Sequence, residues 1–175
     1  MNRITLAASE DKKEILALYK TMLHGPADWN EHYPNGDTID FDMSRNALYV
    51  MKNELGEIIA VISIDEDEEV DKLPCWSIMP SGELSRLCVR GDMQNHGIAK
   101  EMMRYAFDVM KKEGKNGVHI LVRTGHTKAL STYAKLGFIL IFNQHIDKIQ
   151  SLPVILLMVS LDNEQIVSQS LSTTF

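Results

Sequence analysis

The chain has 175 residues, of which 45% are hydrophobic and 24% are charged, and its formal net charge is −6. This composition is typical of a soluble globular protein, and the acidic balance argues against a general nucleic-acid binder, since such domains are usually basic. The two cysteines, Cys75 and Cys88, form no CxxC pair, and the histidines are scattered along the chain. The sequence therefore predicts neither a disulfide framework nor a metal site.

The N-terminal segment becomes charged early and has no apolar h-region of a signal peptide. No apolar stretch is long enough to span a bilayer, so we expect a cytoplasmic protein without a membrane partner. One domain is expected to cover residues 1–175. The tail at 163–175 is rich in Ser and Thr and is expected to fray.

Short apolar runs alternate with amphipathic segments in the first part of the chain. Ser9 is a candidate N-cap for the first helix, which ends before Gly25 and Pro26. A second helix precedes two strands that are joined as a hairpin. The predicted elements of this part are a strand at residues 4–7, helices at 9–23 and 38–46, and strands at 47–52 and 58–65.

An acidic run from Asp65 to Asp71 comes next. We expect it to be a solvated loop edge, with polycation binding as the alternative. Pro74, Pro80 and Gly82 extend the predicted loop. The elements predicted beyond it are a strand at 83–89, a helix at 98–113, a strand at 119–122, a helix at 127–136, and strands at 139–142 and 154–161. This order indicates a mixed α/β fold.

The segment QNHGIA at residues 94–99 lies between an apolar strand and a long amphipathic helix. It places backbone N–H groups at the positive end of a helix dipole, which suits a phosphate or pyrophosphate. Gly97 would let the backbone approach an anion without a Cβ in the way. A Rossmann fingerprint does not fit, because the chain has no G-x-G-x-x-G, and the absence of G-K-S/T excludes a Walker loop.

A second string, ALSTYAKLGF at residues 129–138, follows in the order and at the spacing of a known family. Together the two strings resemble the GNAT superfamily of acyl-CoA N-acyltransferases, whose motifs read Q/R-x-x-G-x-G/A and A-x-x-x-Y-x-K-x-G-F. The order of elements extends the resemblance over residues 3–161. It implies an α/β fold with a mixed central sheet of about seven strands, splayed at its centre and flanked by about four helices.

The resemblance also implies acetyl-CoA as the co-substrate. Its pyrophosphate would lie over the amides of residues 94–99, and its pantetheine arm would run beside the strand, where a backbone N–H of Cys88 or Val89 would polarise the thioester. Many relatives have an Asn where this chain has Thr127, whose hydroxyl can still form a hydrogen bond. The residues expected to bind the cofactor are Leu87, Cys88, Val89, Gln94, Asn95, His96, Gly97, Ile98, Ala99, Lys100, Thr127 and Ala129.

Glu83 is the candidate general base. An amine attacks a thioester only when neutral, and a lysine-like amine with a pKa of about 10.4 must first lose a proton. Glu83 matches the position of the catalytic glutamate in some family members, and on simple alternation it shares a face with Val89. The alternatives are an exposed strand-end carboxylate without a role, and another acid or an ordered water as the base.

Tyr133 matches the motif tyrosine of the family and is the candidate general acid. It would donate a proton to the leaving thiolate of CoA. The alternative is a core tyrosine whose hydroxyl is satisfied. Trp29, Tyr33 and Trp76 are candidates for the border of the acceptor pocket, with packing as the alternative. His126 either contacts a ligand or is a surface histidine.

These features predict an N-acetyltransferase that transfers an acetyl group directly, in a ternary complex, to a small-molecule or peptide amine. A ping-pong route is disfavoured because Cys88 lies in the middle of a strand without a base nearby in the sequence. One alternative is a non-catalytic acyl-CoA-binding or regulatory module of the same fold, and another is a nucleotide-binding protein of unrelated fold. The resemblance leaves a homodimer open.

Overall fold

The computed structural model describes residues 2–65, 67–142 and 154–162. Its strands are β1 (Arg3–Leu6), β2 (Leu48–Lys52), β3 (Ile58–Asp65), β4 (Ser81–Val89), β5 (Gly117–Arg123), β6 (Ile139–Phe142) and β7 (Val154–Ser160). Its helices are α1 (Lys12–Lys20), α2 (Gly36–Ser44), α3 (Glu68–Asp71), α4 (Ile98–Lys112) and α5 (Thr127–Lys135). Residues 143–153, for which the sequence predicts neither a helix nor a strand, and the predicted frayed tail at 163–175 lie outside the described residues.

The seven strands form a mixed sheet in the order β1-β2-β3-β4-β5-β7-β6. Four of the described helices, α1, α2, α4 and α5, have nine or more residues. The predicted fold of about seven strands and four helices is therefore confirmed. The bounds predicted for β3 and β6 are those observed.

The acidic run contains a short helix, α3, that the sequence had not indicated. Asp67 begins it: the Asp67 carboxylate accepts a hydrogen bond from the Val70 N–H at 3.3 Å, and the Asp67 carbonyl accepts one from the Asp71 N–H at 2.7 Å. Aspartate is favoured at such a position because it satisfies a free N–H of the first turn. The expectation of a solvated loop edge was wrong at Asp65, whose carboxylate lies 2.7 Å from the Arg86 guanidinium.

The chain forms two compact units, one of residues 1–65 with 84–106 and one of residues 66–83 with 107–175. In the first unit, β1 pairs with β2 and β2 pairs with β3, both antiparallel. The core of this unit contains apolar residues of helices α1 and α2 and of strands β2, β3 and β4, among them Ile15, Leu18, Ile39, Val50, Val61 and Cys88. The single domain expected over residues 1–175 stays a prediction.

In the second unit, β5 pairs with β7 and β7 with β6, both antiparallel. Ser81–Glu83 of β4 pair in parallel with Gly117–His119 of β5. This pairing starts β4 two residues earlier than predicted. The sequence did not reveal this start, because Gly82 has no side chain and adds nothing to an apolar pattern. A Cβ at Gly82 would lie 3.1 Å from the Met110 side chain. The small core of this unit contains Val70, Trp76, Leu156 and Met158.

Arg86 has a left-handed backbone (φ 51°) in the middle of β4, and its side chain is buried. Its guanidinium donates to both carboxylate oxygens of Asp42, at 2.9 and 2.8 Å, and to Asp65 at 2.7 Å. The Ser63 hydroxyl also donates to Asp42, and the Tyr33 hydroxyl accepts from the guanidinium at 2.8 Å. A left-handed backbone at a residue other than glycine costs about 1–3 kcal/mol. These charge-assisted bonds therefore hold an irregularity that resembles a β-bulge.

The irregularity breaks the alternation of side chains along β4. The hydroxyl of Ser85 and the guanidinium of Arg86 both donate to the Asp65 carboxylate, so two consecutive residues reach the same group. The prediction that Glu83 and Val89 share a face by simple alternation stays a prediction.

We expect Asp42→Asn to lower the free energy of unfolding by about 3 kcal/mol, because it removes a buried charge that pairs with Arg86. Urea denaturation measures the loss. The matched control, Asp40→Asn, lies on the same helix and removes only an exposed pair with Lys12, so a change below about 1 kcal/mol is expected. Equal losses in the two variants would show that burial of the charge is not what matters.

Candidate active site

The turn between β4 and α4 contains two residues with left-handed backbone, Asn95 (φ 67°) and Gly97 (φ 82°). The Gly97 carbonyl accepts a hydrogen bond from the Glu101 N–H at 3.1 Å, so α4 begins at once. A Cβ at Gly97 would meet no atom within 4 Å, so the space beside its backbone is open. Within the described part of the chain, the N–H groups of residues 95–100 donate to no protein acceptor. This end of α4 can hold an anion.

Side chains of the turn fold back onto it. The Gln94 amide donates to the Val89 carbonyl at 3.1 Å, and Nδ1 of His96 lies 2.9 Å from the Gln94 carbonyl. Both contacts join residues that are close in the sequence, so they stabilise the conformation of the turn. Lys100 is half-buried in the first turn of α4. The residues predicted to bind a pyrophosphate are thus in one local structure, with the partial positive charge of the helix end beneath it.

The three β4 residues predicted to border the pantetheine arm differ in burial. Leu87 is half-buried, whereas Cys88 and Val89 are buried. Sγ of Cys88 lies 3.8 Å from the Leu18 carbonyl. Burial raises the pKa of the Cys88 thiol to about 12, because a thiolate there would lose its hydration. The thiol is therefore protonated at neutral pH and is a poor nucleophile.

Tyr133 lies in α5, and its ring centroid is 5.7 Å from that of Phe138. Burial raises the pKa of the Tyr133 hydroxyl to about 12. No hydrogen bond joins this hydroxyl to the residues that the structure describes. The phenol therefore stays protonated at neutral pH, and its proton is available to an incoming group.

His126 is the N-cap of α5, since its Nδ1 accepts a hydrogen bond from the Ala129 N–H at 3.4 Å. Burial lowers the pKa of His126, and the neutral ring that results is the form that can accept this bond. His126 is half-buried, and both interpretations of its role, contact with a ligand or a surface histidine, stay predictions. Thr127, the next residue, begins the helix and is exposed.

Glu83 is 7% exposed, so the alternative of an exposed strand-end carboxylate was wrong. It lies beside two titratable residues that the sequence analysis missed, Asp71 and His119. One ligating atom from each of the three side chains lies within 4.8 Å of the other two. The pairing of Glu83 with His119 across β4 and β5 brings them together. The order of strands along a sequence does not reveal such a register.

The His119 ring is enclosed on several sides. Nε2 lies 3.0 Å from Oδ1 of Asp71, Nδ1 lies 3.0 Å from Oγ of Ser81, and the Trp76 ring stacks at 4.4 Å. Burial, and then the positive charge of Lys115, lower the pKa of His119 to about 4, so the ring is neutral at pH 7. A neutral histidine and two carboxylates are also ligands that suit a divalent cation, so the predicted absence of a metal stays a prediction.

The three aromatic residues predicted to border the acceptor differ in exposure. Tyr33 is 44% exposed. Trp29 is half-buried and packs edge-on against Tyr19, with 5.3 Å between ring centroids. Trp76 is buried, and its Nε1–H donates to the Val70 carbonyl at 2.7 Å. Of these three, Tyr33 offers the most surface to a ligand, and the acceptor role stays a prediction for all of them.

The chain is similar in sequence to one protein family and in fold to several solved structures. A sequence model of the acetyltransferase (GNAT) family matches residues 12–138. An acetyltransferase of the GNAT family from Staphylococcus aureus aligns with a TM-score of 0.72 and 14% identity, covering 93% of this chain and 100% of that one. The protein yncA from Salmonella typhimurium, solved with its cofactor acetyl-CoA, aligns with a TM-score of 0.72 and 17% identity, covering 93% of this chain and 95% of that one. N-acetylglutamate synthase from Neisseria gonorrhoeae, complexed with coenzyme A and N-acetyl-glutamate, aligns with a TM-score of 0.68 and 16% identity, covering 93% and 36%.

No curated protein matches the chain. None of the helices in the described ranges is both long and apolar enough to cross a membrane. At identities of 14–17%, the structural matches establish the fold, whereas the family match spans more than half of the sequence. The chain therefore belongs to the acetyltransferase (GNAT) family and is an acetyl-CoA-dependent acyltransferase.

Proposed function

We propose that this chain is an N-acetyltransferase that moves the acetyl group of acetyl-CoA directly to a primary amine within a ternary complex. The turn at Gly97 carries the proposal. It combines open space beside a left-handed glycine with N–H groups that have no protein acceptor in the described chain, at the start of a 15-residue helix. An anion with several oxygens satisfies such a set of donors. Because the chain belongs to the acetyltransferase (GNAT) family, we infer that this anion is the pyrophosphate of acetyl-CoA.

Cofactor binding would begin at this turn. The pyrophosphate would accept hydrogen bonds from the amides of residues 95–99, and Lys100 would add a positive charge. The Gln94 N–H already donates to the Gly91 carbonyl at 3.4 Å, so we assign Gln94 a contact through its side chain. The pantetheine arm would run along Leu87–Val89, where a backbone N–H of Cys88 or Val89 would stabilise negative charge on the thioester oxygen. The relatives solved with acetyl-CoA or coenzyme A support the choice of cofactor.

The start of α5 would supply further cofactor contacts. The exposed hydroxyl of Thr127 would take the place of the asparagine found in many relatives. The Ala129 N–H already donates to His126. We therefore assign Ala129 a van der Waals contact with the cofactor rather than a hydrogen bond.

Glu83 would act as the general base. An alkylamine with a pKa of about 10.4 is protonated at pH 7, and reaching its neutral form costs about 4–5 kcal/mol. A carboxylate that takes the proton, directly or through one water, removes much of that barrier. The burial of Glu83 supports a role inside the site, because the residue is only 7% exposed.

Tyr133 would protonate the departing thiolate. Its hydroxyl has a pKa of about 12. A thiol in water has a pKa of about 8.5, so the transfer would run uphill if the thiolate kept its hydration. The apolar surroundings that raise the pKa of the tyrosine also destabilise a thiolate, which brings the two pKa values closer together.

The acceptor that we propose is a small-molecule or peptide primary amine. N-acetyl-glutamate bound to the Neisseria gonorrhoeae synthase is an acetylated amine of that kind in a relative of the same fold. On the sequence grounds given above, we propose a cytoplasmic protein without a nucleic-acid or membrane partner. A homodimer stays open.

The first test is an amine screen. The purified chain is given acetyl-CoA and a panel of amino acids, polyamines, aminoglycosides and peptides with free N-termini, and free CoA thiol is measured. We expect thiol release that depends on one class of amine. Calorimetric binding of acetyl-CoA without thiol release across the panel would support a non-catalytic acyl-CoA-binding module instead. Absence of acetyl-CoA binding would contradict both the N-acetyltransferase and the non-catalytic acyl-CoA-binding module.

Gly97→Val is expected to weaken acetyl-CoA binding by about tenfold or more, since a branched side chain would enter the open space and strain the turn. Calorimetry measures the dissociation constant. Gly56→Val is the matched control, because Gly56 has the same φ of 82° and equally open surroundings but lies in the hairpin between β2 and β3. Equal weakening in both variants would mean that backbone strain, rather than an anion site, is responsible.

Tyr133→Phe is expected to lower kcat by about 100-fold with little change in acetyl-CoA affinity, because the ring contact with Phe138 is kept while the proton donor is lost. Thiol-release kinetics and calorimetry separate the two quantities. Tyr105→Phe, which keeps a ring contact with Tyr49 at 5.4 Å, serves as control and should leave both unchanged. Parallel losses of kcat and affinity in Tyr133→Phe would indicate a structural role.

Cys88→Ala is expected to leave kcat nearly unchanged, because a thiol with a pKa of about 12 is not the nucleophile. Initial rates at varied acetyl-CoA and amine should give intersecting double-reciprocal lines. Parallel lines, or an acetyl group found on Cys88 by mass spectrometry, would contradict direct transfer.

A further inference from the structure

Three side chains that can bind a metal ion meet in the second unit: Asp71 at the end of α3, Glu83 in β4 and His119 in β5. One ligating atom of each lies within 4.8 Å of the other two. We propose that these residues form a binding site for one divalent transition-metal ion, such as Zn²⁺, and that the bound ion inhibits acetyl transfer. The site follows from its geometry, whereas the inhibition rests on the proposed function, in which Glu83 is the base. The sequence analysis predicted no metal site, because the three residues lie far apart in the chain.

The lone pair of the His119 ring is on Nε2, the nitrogen beside Asp71. The Ser81 hydroxyl donates its single hydrogen to Sδ of Met79 at 3.3 Å. Its oxygen therefore accepts the hydrogen of Nδ1 of His119, which lies 3.0 Å away. A neutral imidazole has one N–H, so the other nitrogen, Nε2, is an electron-pair donor. Histidines that bind a metal are usually held in this way, with the second ring nitrogen donating to an oxygen.

Nε2 of His119 is buried and forms no hydrogen bond within the described residues. A buried acceptor in this state is unfavourable unless a ligand uses its lone pair. Oδ1 of Asp71 lies 3.0 Å away, yet the contact lacks the geometry of a hydrogen bond. Two ligands that are each about 2.1 Å from one ion, at about a right angle, lie about 3.0 Å apart. The contact therefore has the spacing of neighbouring ligands of one cation.

One ion can reach all three ligating atoms. Atoms that lie within 4.8 Å of one another share a point at most about 2.8 Å from each, and a bond from Zn²⁺ to nitrogen or oxygen is about 2.0–2.2 Å long. Side-chain shifts of less than about 1 Å therefore complete the site. Imidazole favours Zn²⁺ and other transition metals over Mg²⁺ and Ca²⁺, and three protein ligands leave a position for water.

Neighbouring residues hold the ligands in place. Trp76 stacks on the His119 ring with 4.4 Å between centroids, and its indole N–H donates to the Val70 carbonyl at 2.7 Å. Val70 precedes Asp71, so this bond connects the stacked ring to the helix that carries the second ligand. Glu83 and His119 are paired across β4 and β5. Ligands on packed elements lose little freedom when an ion binds.

The charge and exposure of the site suit a divalent cation. Its two carboxylates can balance the two positive charges of the ion, and they outweigh the positive charge of Lys115 that acts on His119. The His119 side chain is fully buried, whereas 33% of the Asp71 side chain is exposed, so an ion can enter beside Asp71. Once bound to the ion, Glu83 is a weaker base, because the cation stabilises its carboxylate form. Inhibition follows from this loss of basicity.

Binding is tested by calorimetry with Zn²⁺ and the full chain, after a chelator has removed any metal. We expect one ion per chain with a dissociation constant of about 1 μM or below. His119→Gln and Asp71→Asn should each weaken binding by about 100-fold or more, because each removes a ligand. Ser81→Ala should weaken it by about tenfold, because it removes the acceptor that orients the ring. His24→Gln, at an exposed histidine that pairs with Glu31, is the control and should bind Zn²⁺ as the wild type does.

Co²⁺ supplies a second readout that does not depend on activity. Its visible absorption strengthens when the ion exchanges an octahedral shell of water for fewer ligands that include nitrogen. We expect this change with the wild type and with His24→Gln, and not with Asp71→Asn. Circular dichroism establishes that each variant is folded. Because Asp71 is partly exposed, Asp71→Asn supplies the test even if His119→Gln unfolds.

Inhibition is measured with the most active amine of the screen. The acetylated amine is quantified by mass spectrometry, because Zn²⁺ binds thiols and would disturb thiol detection. Saturating Zn²⁺ should lower the wild-type rate by about tenfold or more, and a chelator should restore it. The Zn²⁺ concentration that gives half-inhibition should rise by about 100-fold in Asp71→Asn and stay unchanged in His24→Gln.

The outcomes separate this inference from the proposed function. Failure of the metal-free wild type to bind Zn²⁺ and Co²⁺ at about 1 mM, or undiminished binding in folded His119→Gln and Asp71→Asn, would overturn the site. Binding without loss of rate would overturn the inhibition and contradict Glu83 as the base. Activity that is lost on chelation and restored by Zn²⁺ would support the site and overturn the inhibition. Zn²⁺ binding by a chain that acetylates no amine would support the site and contradict the N-acetyltransferase.

Discussion

The buried side chain of Arg86 stabilises an irregular backbone in the middle of β4. Removing the Arg86 guanidinium from water costs several kcal/mol, and that cost is offset only because the two-pronged contact with Asp42 and the bond to Asp65 have good geometry. The same contacts stabilise a left-handed residue that would otherwise be unfavourable in a strand. Leu87–Val89, the residues proposed to border the pantetheine arm, follow directly after this left-handed residue.

The Gly97 turn shows why conformation alone does not make an anion site. Gly56 and Gly97 share a φ of 82°, and a side chain at either would meet only open space. Gly56 closes a hairpin, where the neighbouring amides have partners, as in the bond from the Gly56 N–H to Asn53. Gly97 begins a helix, whose first amides have none within their own helix. The two glycines therefore differ because a strand follows Gly56, whereas a helix with free N–H groups in its first turn follows Gly97.

In the second unit, loss of hydration shifts the pKa values of two side chains in opposite directions. Loss of hydration disfavours the charged form, so it raises the pKa of Tyr133 to about 12 and lowers that of His119 to about 4. Both groups are consequently neutral at pH 7, and Tyr133 keeps the proton that the proposed reaction would give to the leaving thiolate.

The sequence by itself determined the elements, the helix-opening turn at Gly97 and the helix that carries Tyr133, because apolar periodicity, caps and glycine are local signals. It did not indicate α3, since an acidic run reads as solvated surface. Only the tertiary structure decided that Arg86 meets Asp42, 44 residues away, and that Glu83 lies beside His119. A buried charge has no pattern of its own in a sequence. Its partner is chosen by strand register and by the need to offset lost hydration, and both exist only once the chain has folded.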